Sequence, residues 1–167
     1  MQIELRLKAI SSPDLLTCSY DPDEDDVRSI LIDVCRVIGQ RGEFLVSGFG
    51  QHKWPVDVQT DLPVFLEQLP AVLRAVNEGT TAEIDFYEQG LERSIALVPA
   101  KGGYVATCTS RTSWQPSPKV EEIAREELDE MLLTARETFM RIVTEMAPEL
   151  AKHQWIRQWL RGLPEHG

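Results

Sequence analysis

The fold that we predict is decided by residues 82–110, which read AEIDFYEQGLERSIALVPAKGGYVATCTS. This stretch contains three runs of strand-forming residues, at 82–87, 91–98 and 104–110. The two connections, Glu88-Gln89-Gly90 and Lys101-Gly102-Gly103, supply glycine for the positive φ angles that hairpin turns require. The stretch therefore predicts an antiparallel meander of three strands.

Outside the meander, the spacing of apolar residues predicts further strands. Apolar and charged residues alternate over residues 2–9, which indicates a half-buried strand, and a short strand is predicted at 43–48. Residues 54–58 are predicted as another strand, at a sheet edge because Pro55 cannot donate a backbone hydrogen bond. We expect the strand at 2–9 to lie in the same sheet as the meander.

Apolar residues recur at helical spacing in four other segments. They predict helices at 27–38, at 61–77, at 120–146 and around 155–160, of which the third is the longest. The predicted fold class is therefore α+β, with an antiparallel sheet packed against helices and a long C-terminal helix. The chain length suits a single domain over residues 1–167.

The composition limits the kinds of partner that the protein can have. The net charge is −10, so repulsion disfavours nonspecific binding to nucleic acid or to an anionic membrane and favours a basic macromolecular partner. No run reaches the roughly 18 apolar residues that a membrane span needs, and the alternating N-terminal residues do not resemble a signal peptide. We therefore expect a cytoplasmic protein.

The sequence contains no motif that predicts catalysis, a metal or a cofactor. The cysteines Cys18, Cys35 and Cys108 are far apart and form no Cys-x-x-Cys pair, and we expect the last two to be core thiols. Phosphate-binding glycine loops, Gly-x-Ser-x-Gly and His-Glu-x-x-His are also missing from the sequence. These observations predict a protein that binds a partner, without metal or cofactor, rather than an enzyme.

Three groups of residues are candidates for contact with that partner. An acidic run and the first hairpin of the meander offer carboxylates that can face basic side chains. Two loop tryptophans either cover the core or insert into a partner. The acidic run has a structural alternative, because its carboxylates can also cap the helix at 27–38. The candidates are Asp21, Asp23, Glu24, Asp25 and Asp26 in the run, Glu88 and Glu92 at the hairpin, and Trp54 and Trp114 in the loops.

Several of these segments together resemble bacterial immunity proteins, which neutralise toxins of polymorphic or type VI secretion systems. The resemblance covers most of the chain and rests on Trp54-Pro55-Val56-Asp57-Val58, a leucine-rich helix, residues 84–93 (IDFYEQGLER) and a long acidic helix. The chain looks most like the immunity partners of restriction-endonuclease-like nuclease toxins. The resemblance implies direct inhibition of a cognate toxin by protein–protein contact in the cytoplasm of the producing cell.

Two other functions stay open at this point. A small cytoplasmic enzyme would bring its catalytic carboxylates together only in the folded chain, where no linear motif reveals them. An adaptor subunit of a larger assembly would have a similar composition. A deep pocket lined by titratable groups with shifted pKa values would indicate the enzyme.

Overall fold

The computed structural model describes residues 1–7, 19–39 and 42–162 of the chain. All strand pairs in those ranges are antiparallel, which together with the helices confirms the α+β class and the long C-terminal helix. The elements are β1 (Gln2–Leu7), α1 (Val27–Ile38), β2 (Gly42–Ser47), α2 (Asp61–Glu78), β3 (Ala82–Phe86), β4 (Arg93–Ala100), β5 (Gly103–Ser110), β6 (Val120–Ala124), α3 (Arg125–Met146), α4 (Pro148–Ala151) and α5 (Gln154–Leu160).

The predicted meander is present as β3, β4 and β5, and β6 extends it to four strands. Ile84, Ile95 and Cys108 lie opposite one another in the register, and all three are buried on the core side of the sheet. The connection between β3 and β4 is longer than predicted. The backbone N–H groups of Leu91 and Glu92 both donate to the carbonyl oxygen of Glu88. Leu91 therefore belongs to the turn and not to β4, and its buried side chain packs in the core.

The prediction that the first strand joins the meander is wrong. Among the described residues β1 pairs with β2 in a separate two-stranded sheet. Neither edge of the three-stranded meander is free to pair with β1, because β6 pairs with β5 and α2 covers β3. The side-chain amide of Gln68 donates to the Asp85 carbonyl oxygen (2.9 Å) and accepts from the Asp85 N–H (2.8 Å). Alternation predicts a half-buried strand but does not specify its partner. Residues 8 and 9 lie outside the described residues.

Residues 120–124 form β6 instead of the first turn of the predicted long helix. Val120 lies opposite Thr107 and Ile123 lies opposite Tyr104, so pairing with the open edge of β5 overrides the helical spacing of these two apolar residues. α3 begins at Arg125. Its first turn contains Glu126 and Glu127, whose negative charges interact favourably with the N-terminal helix dipole.

Residues 54–58 form a loop that leads into α2 rather than the predicted edge strand. The Trp54 N–H donates to the Val46 carbonyl oxygen at 2.8 Å, which ties the loop to β2. The Asp57 carboxylate accepts hydrogen bonds from the N–H groups of Gln59 (2.7 Å) and Thr60 (3.1 Å). An aspartate whose carboxylate accepts from the N–H groups that follow it forms a turn and allows a helix to begin. At residues 54–58 this local interaction outweighs the strand propensity of the sequence.

Aromatic side chains connect the two sheets through α2. Phe44 of β2 lies 5.6 Å from Phe65 of α2, measured between ring centroids, and Phe65 stacks at 6.5 Å on Phe86 of β3. Trp54 lies 6.0 Å from the same Phe86 ring. The buried residues form one continuous cluster that includes both sheets, α1, α2, α3 and α5.

Candidate functional site

The acidic run forms the turn and the cap that precede α1. The Asp21 carboxylate accepts from the Asp23 N–H, and the Asp25 carboxylate accepts from the Asp21 N–H, both at 2.9 Å. Asp26 is the N-cap of α1 and accepts from the N–H groups of its first turn at 2.8 and 3.3 Å. Asp23 and Glu24 are exposed, and their carboxylates make no hydrogen bond or ion pair within the described ranges. The structural alternative therefore accounts for Asp21, Asp25 and Asp26, and leaves Asp23 and Glu24 available to a partner.

This division can be tested by mutation. Asp26→Ala is expected to lower the free energy of unfolding by about 1 kcal/mol, because two N–H groups of α1 lose their acceptor. The double variant Asp23→Asn, Glu24→Gln is expected to change stability by less than about 0.5 kcal/mol and to slow association with a basic partner. Urea denaturation and association kinetics at two salt concentrations measure the two effects. A loss of stability in the double variant without any change in association would assign the whole run to the fold.

The first turn of α1 lies beside the hairpin that precedes β4. The guanidinium of Arg28 approaches the carboxylates of Glu67 (3.8 Å) and Glu88 (3.9 Å) and lies 5.9 Å from the ring centroid of Tyr87. The Tyr87 hydroxyl donates to Glu67 at 3.3 Å, yet 41% of the Tyr87 residue surface is exposed. We call Arg28, Glu67, Tyr87 and Glu88 the acidic corner. It places Glu88, one of the two predicted hairpin residues, at the N-terminal end of α1, where the acidic run forms its turn.

Further carboxylates behind the acidic corner make its potential more negative. Asp61, at the start of α2, is 4% exposed, and its Oδ1 atom has no partner in the described part of the chain. Burial raises the pKa of Asp61 most, and the negative charges of Asp57 and Glu88 raise it further. The hydrogen bond that Asp61 accepts from the Asp57 N–H acts in the opposite direction. Partial burial and the charge of Glu67 likewise raise the pKa of Tyr87, against the opposing charge of Arg28. The smaller contributions to these shifts show that the carboxylates of Asp57, Glu67 and Glu88 lie close enough to act on Asp61 or Tyr87.

A cleft of about 290 Å³ opens between α1 and α2 next to the acidic corner. Arg28, Arg36, Thr60, Pro63 and Glu88 contribute to its wall. The cleft is wide enough for one side chain and too small to enclose most substrates. It provides a recess beside an exposed tyrosine, as protein–protein contact sites often do.

The other predicted hairpin residue, Glu92, lies in a different environment from Glu88. Its φ angle is +45°, and its carbonyl oxygen accepts from the Arg111 N–H at 2.9 Å. The Arg111 guanidinium forms an ion pair with Asp85 at 2.7 Å, and its pKa is raised by the hydrogen bond with Asp85 and further by the charge of Glu92. The two glutamates that the sequence groups together are thus divided between Arg28 and Arg111.

The two candidate tryptophans contact each other and one buried arginine. Trp54 is fully buried and its indole N–H donates to the Gly48 carbonyl oxygen at 3.2 Å, so its side chain belongs to the core. Trp114 is half-buried, 6.0 Å from Trp54 between ring centroids. The Arg93 guanidinium carbon lies 3.6 Å from the Trp114 ring centroid and 4.7 Å from that of Trp54. Of the two alternatives for these tryptophans, the structure favours a core role for Trp54 and a covering role for Trp114.

Arg93 is a buried cation without a described carboxylate in ion-pair range. Only 3% of the residue is exposed, one terminal nitrogen donates to Gln51 at 2.8 Å, and its Nε has no partner within the described ranges. Burial lowers its pKa. The faces of the two indoles provide the electrostatic compensation that a carboxylate usually gives. Arg93 is thereby explained as part of the fold.

A constrained turn holds this cluster in place. Gly48, Phe49 and Gly50 have φ angles of 125°, 56° and 83°, a run of positive values that two glycines make accessible. A Cβ atom on Gly50 would lie 1.8 Å from the carbonyl oxygen of Ser117, whose N–H donates to the Phe49 carbonyl oxygen. The segment that contains Trp114 therefore packs against the turn at backbone contact distance.

The described residues offer no arrangement typical of a metal or thiol site. No group of three or more histidine, cysteine, aspartate and glutamate side chains in residues 1–7, 19–39 and 42–162 is placed to hold a metal ion. Cys35 and Cys108 are buried, as predicted, and burial raises the pKa of both thiols, that of Cys108 to about 11. Cys18 lies outside the described residues. No described helix is both long and apolar enough to cross a membrane.

Three residues of the acidic corner were not predicted from the sequence, namely Arg28, Glu67 and Tyr87, although Tyr87 leaves a signal there. Ile84 and Phe86 are the buried residues of β3, so the alternation places Tyr87 on the opposite, solvent-facing side, where a large aromatic residue is unusual. Arg28 and Glu67 have no such signal, because only the folded chain brings them together. No protein-family model, curated protein or solved structure matches this chain.

Proposed function

We propose that the protein is a non-enzymatic immunity protein that binds and neutralises a cognate bacterial toxin, a nuclease, in the cytoplasm of the producing cell. The observation that supports this proposal best is the acidic corner. Its exposed Tyr87 lies among two glutamates that share one arginine, with Asp57 and Asp61 behind them. Tyrosines in such a setting often contribute a large share of the binding energy at protein interfaces.

The charge of the acidic corner favours a basic partner surface. A nuclease binds phosphates through lysine and arginine side chains, so its substrate groove is positively charged. An acidic protein surface complements that groove and accelerates association. The overall net charge of −10 acts in the same direction at long range. These properties support a partner whose basic groove the acidic corner would occupy in competition with nucleic acid.

A carboxylate enzyme is less well supported by the same residues. Asp61 has the raised pKa that acid–base catalysis uses, and Glu88 lies close enough to contribute to that shift. However, Asp61 does not line the cleft, and its Oδ2 atom already accepts from the Asp57 N–H at 2.7 Å. A substrate in the cleft would therefore contact Thr60 and Pro63 before it reached this carboxylate. The geometry favours binding over catalysis.

A protection experiment tests the proposal. The product of the gene adjacent to the one encoding this chain is expressed in a bacterial host, with and without the chain. We expect the neighbour to arrest growth and degrade nucleic acid when it is alone, and the intact chain to restore growth. Purified chain should form a one-to-one complex with the neighbour that dissociates at high salt. A toxic neighbour that neither binds the chain nor is inhibited by it would refute the proposal.

A further inference from the structure

A cleft of about 350 Å³ lies where α2, α3 and the end of α5 meet, and its lining shares no residue with the acidic corner. Its apolar surface includes Pro70 and Leu73, which are buried, and Leu133 and Leu160, which are half-buried. The volume is at the lower end of the range found for small-molecule sites. The cleft therefore provides an apolar surface for a compact ligand.

Three arginines from three segments of the chain also line this cleft. They are Arg74 of α2, Arg136 of α3 and Arg161, which directly follows α5. Their guanidinium groups make no hydrogen bond or ion pair with the described residues, although acidic residues outnumber lysine and arginine 27 to 17 in the sequence. Asp129 is the one carboxylate among the described residues of the lining. The cleft is therefore a positively charged site on an acidic protein.

Buried contacts of α5 hold the walls of the cleft in place. The Trp159 indole N–H donates to the Leu66 carbonyl oxygen of α2 at 2.8 Å, and the Trp159 ring lies 5.8 Å from that of Phe139 on α3. Gly162 follows α5 with a φ angle of +63°, and a Cβ atom on it would lie 2.6 Å from a terminal nitrogen of Arg74. The absence of a side chain at Gly162 therefore allows the Arg74 guanidinium to lie against the end of α5.

The number and charge of these arginines favour a phosphate monoester over a carboxylate as the ligand. A carboxylate has two oxygens in one plane, which a single guanidinium can bind. A phosphate monoester has three oxygens that point in different directions, so it can accept from several arginines at once. It also carries nearly two negative charges at pH 7. Three arginines and one aspartate leave an excess of two positive charges, which a phosphate dianion balances.

We infer that this cleft binds a small molecule in which a phosphate monoester is joined to a compact apolar group. The phosphate binds to Arg74, Arg136 and Arg161, and the apolar group packs on the leucine side chains of the lining. A nucleic acid is a poor occupant, because its neighbouring phosphates would meet the net charge of −10 of the protein. The inference does not depend on the toxin function proposed above.

Phenyl phosphate is the probe for this inference, because it combines a phosphate dianion with an apolar ring. Benzenesulfonate keeps the ring and three oxygens but has one negative charge, and inorganic phosphate keeps the charge without the ring. We expect phenyl phosphate to bind with a Kd of about 1 mM or below, and each of the other two at least about fivefold more weakly. Calorimetry measures the affinities, and NMR shift changes at the amides of Asn77 and Gly162 should locate the bound probe in the cleft.

Arginine variants test the same site. Arg74→Gln with Arg136→Gln should weaken the binding of phenyl phosphate at least about tenfold. The matched control, Arg141→Gln with Arg157→Gln, replaces exposed arginines of α3 and α5 outside the lining and should leave the Kd within about twofold. Thermal denaturation verifies that each variant folds. Because Arg136 is half-buried, Arg161→Gln at an exposed position is a second variant, which should weaken binding about threefold.

The outcomes that would overturn the inference are specific to the cleft. They are no binding at about 10 mM phenyl phosphate, equal affinities for the three probes, and equal losses in the cleft and control variants. Amide shift changes confined to residues outside the cleft would also overturn it. A chain that protects the bacterial host but fails these tests would leave the toxin proposal standing.

Discussion

Replacement of Arg93 by alanine is expected to lower the free energy of unfolding by about 3 kcal/mol. The side chain is buried against both Trp54 and Trp114, and its removal leaves a void beside two rigid indoles. The Gln51 side chain would lose its hydrogen bond at the same time. Urea denaturation followed by tryptophan fluorescence measures the change directly, because both indoles contact the replaced group.

Two matched variants separate the volume of Arg93 from its charge. Arg93→Met keeps most of the volume without the cost of a buried cation, so we expect a stability within about 1 kcal/mol of the original protein. Arg93→Lys keeps the charge but loses the planar guanidinium that lies over the indole rings, so it should be less stable than Arg93→Met. A methionine variant as unstable as the alanine variant would show that the charge itself is required, and would point to an anion bound at the free Nε.

The elements that sequence analysis predicts correctly are those whose signals are local. Glycine in the connection at 101–103 and the apolar spacing of 27–38 depend only on neighbours in the chain, and both β5 and α1 lie where they are expected. The strand β6 has no local signal of this kind, because Val120 and Ile123 are three residues apart, which is helical spacing. Its conformation is decided by Thr107 and Tyr104, which are far away in sequence.

The candidate site was less predictable because it also depends on contacts between residues that are far apart in sequence. A carboxylate run is visible in the sequence, but its division into turn-forming and free members follows from hydrogen bonds made by Asp21, Asp25 and Asp26. The acidic corner combines α1, α2 and the β3–β4 hairpin. Arg28 and Glu88 are far apart along the chain, and neither has a neighbour in sequence that indicates the other. Charge and exposure can be anticipated from a single sequence, whereas such a juxtaposition requires the fold.

Tyr87→Ala is expected to produce the largest loss of affinity for the proposed toxin, about 2 kcal/mol or roughly thirtyfold in Kd. The exposed ring would contribute apolar contact area at the centre of the acidic corner, and its removal should act mainly on the dissociation rate. Surface plasmon resonance with the purified partner measures both rate constants. Thermal denaturation should change little, since 41% of the residue is exposed.

Charge variants at the acidic corner should act mainly on the association rate constant. Glu88→Lys is expected to slow association and reduce its salt dependence, because it reverses a charge at the acidic corner, while Glu92→Lys is the matched control beside Arg111. Tyr87→Phe keeps the ring and removes the bond to Glu67, so it should stay close to the original affinity. If Tyr87→Ala and Glu88→Lys left both rate constants unchanged and still protected the host, the toxin would bind a surface other than the acidic corner. The outer face of the meander, with exposed Val98 and Val120, would then be the next surface to mutate.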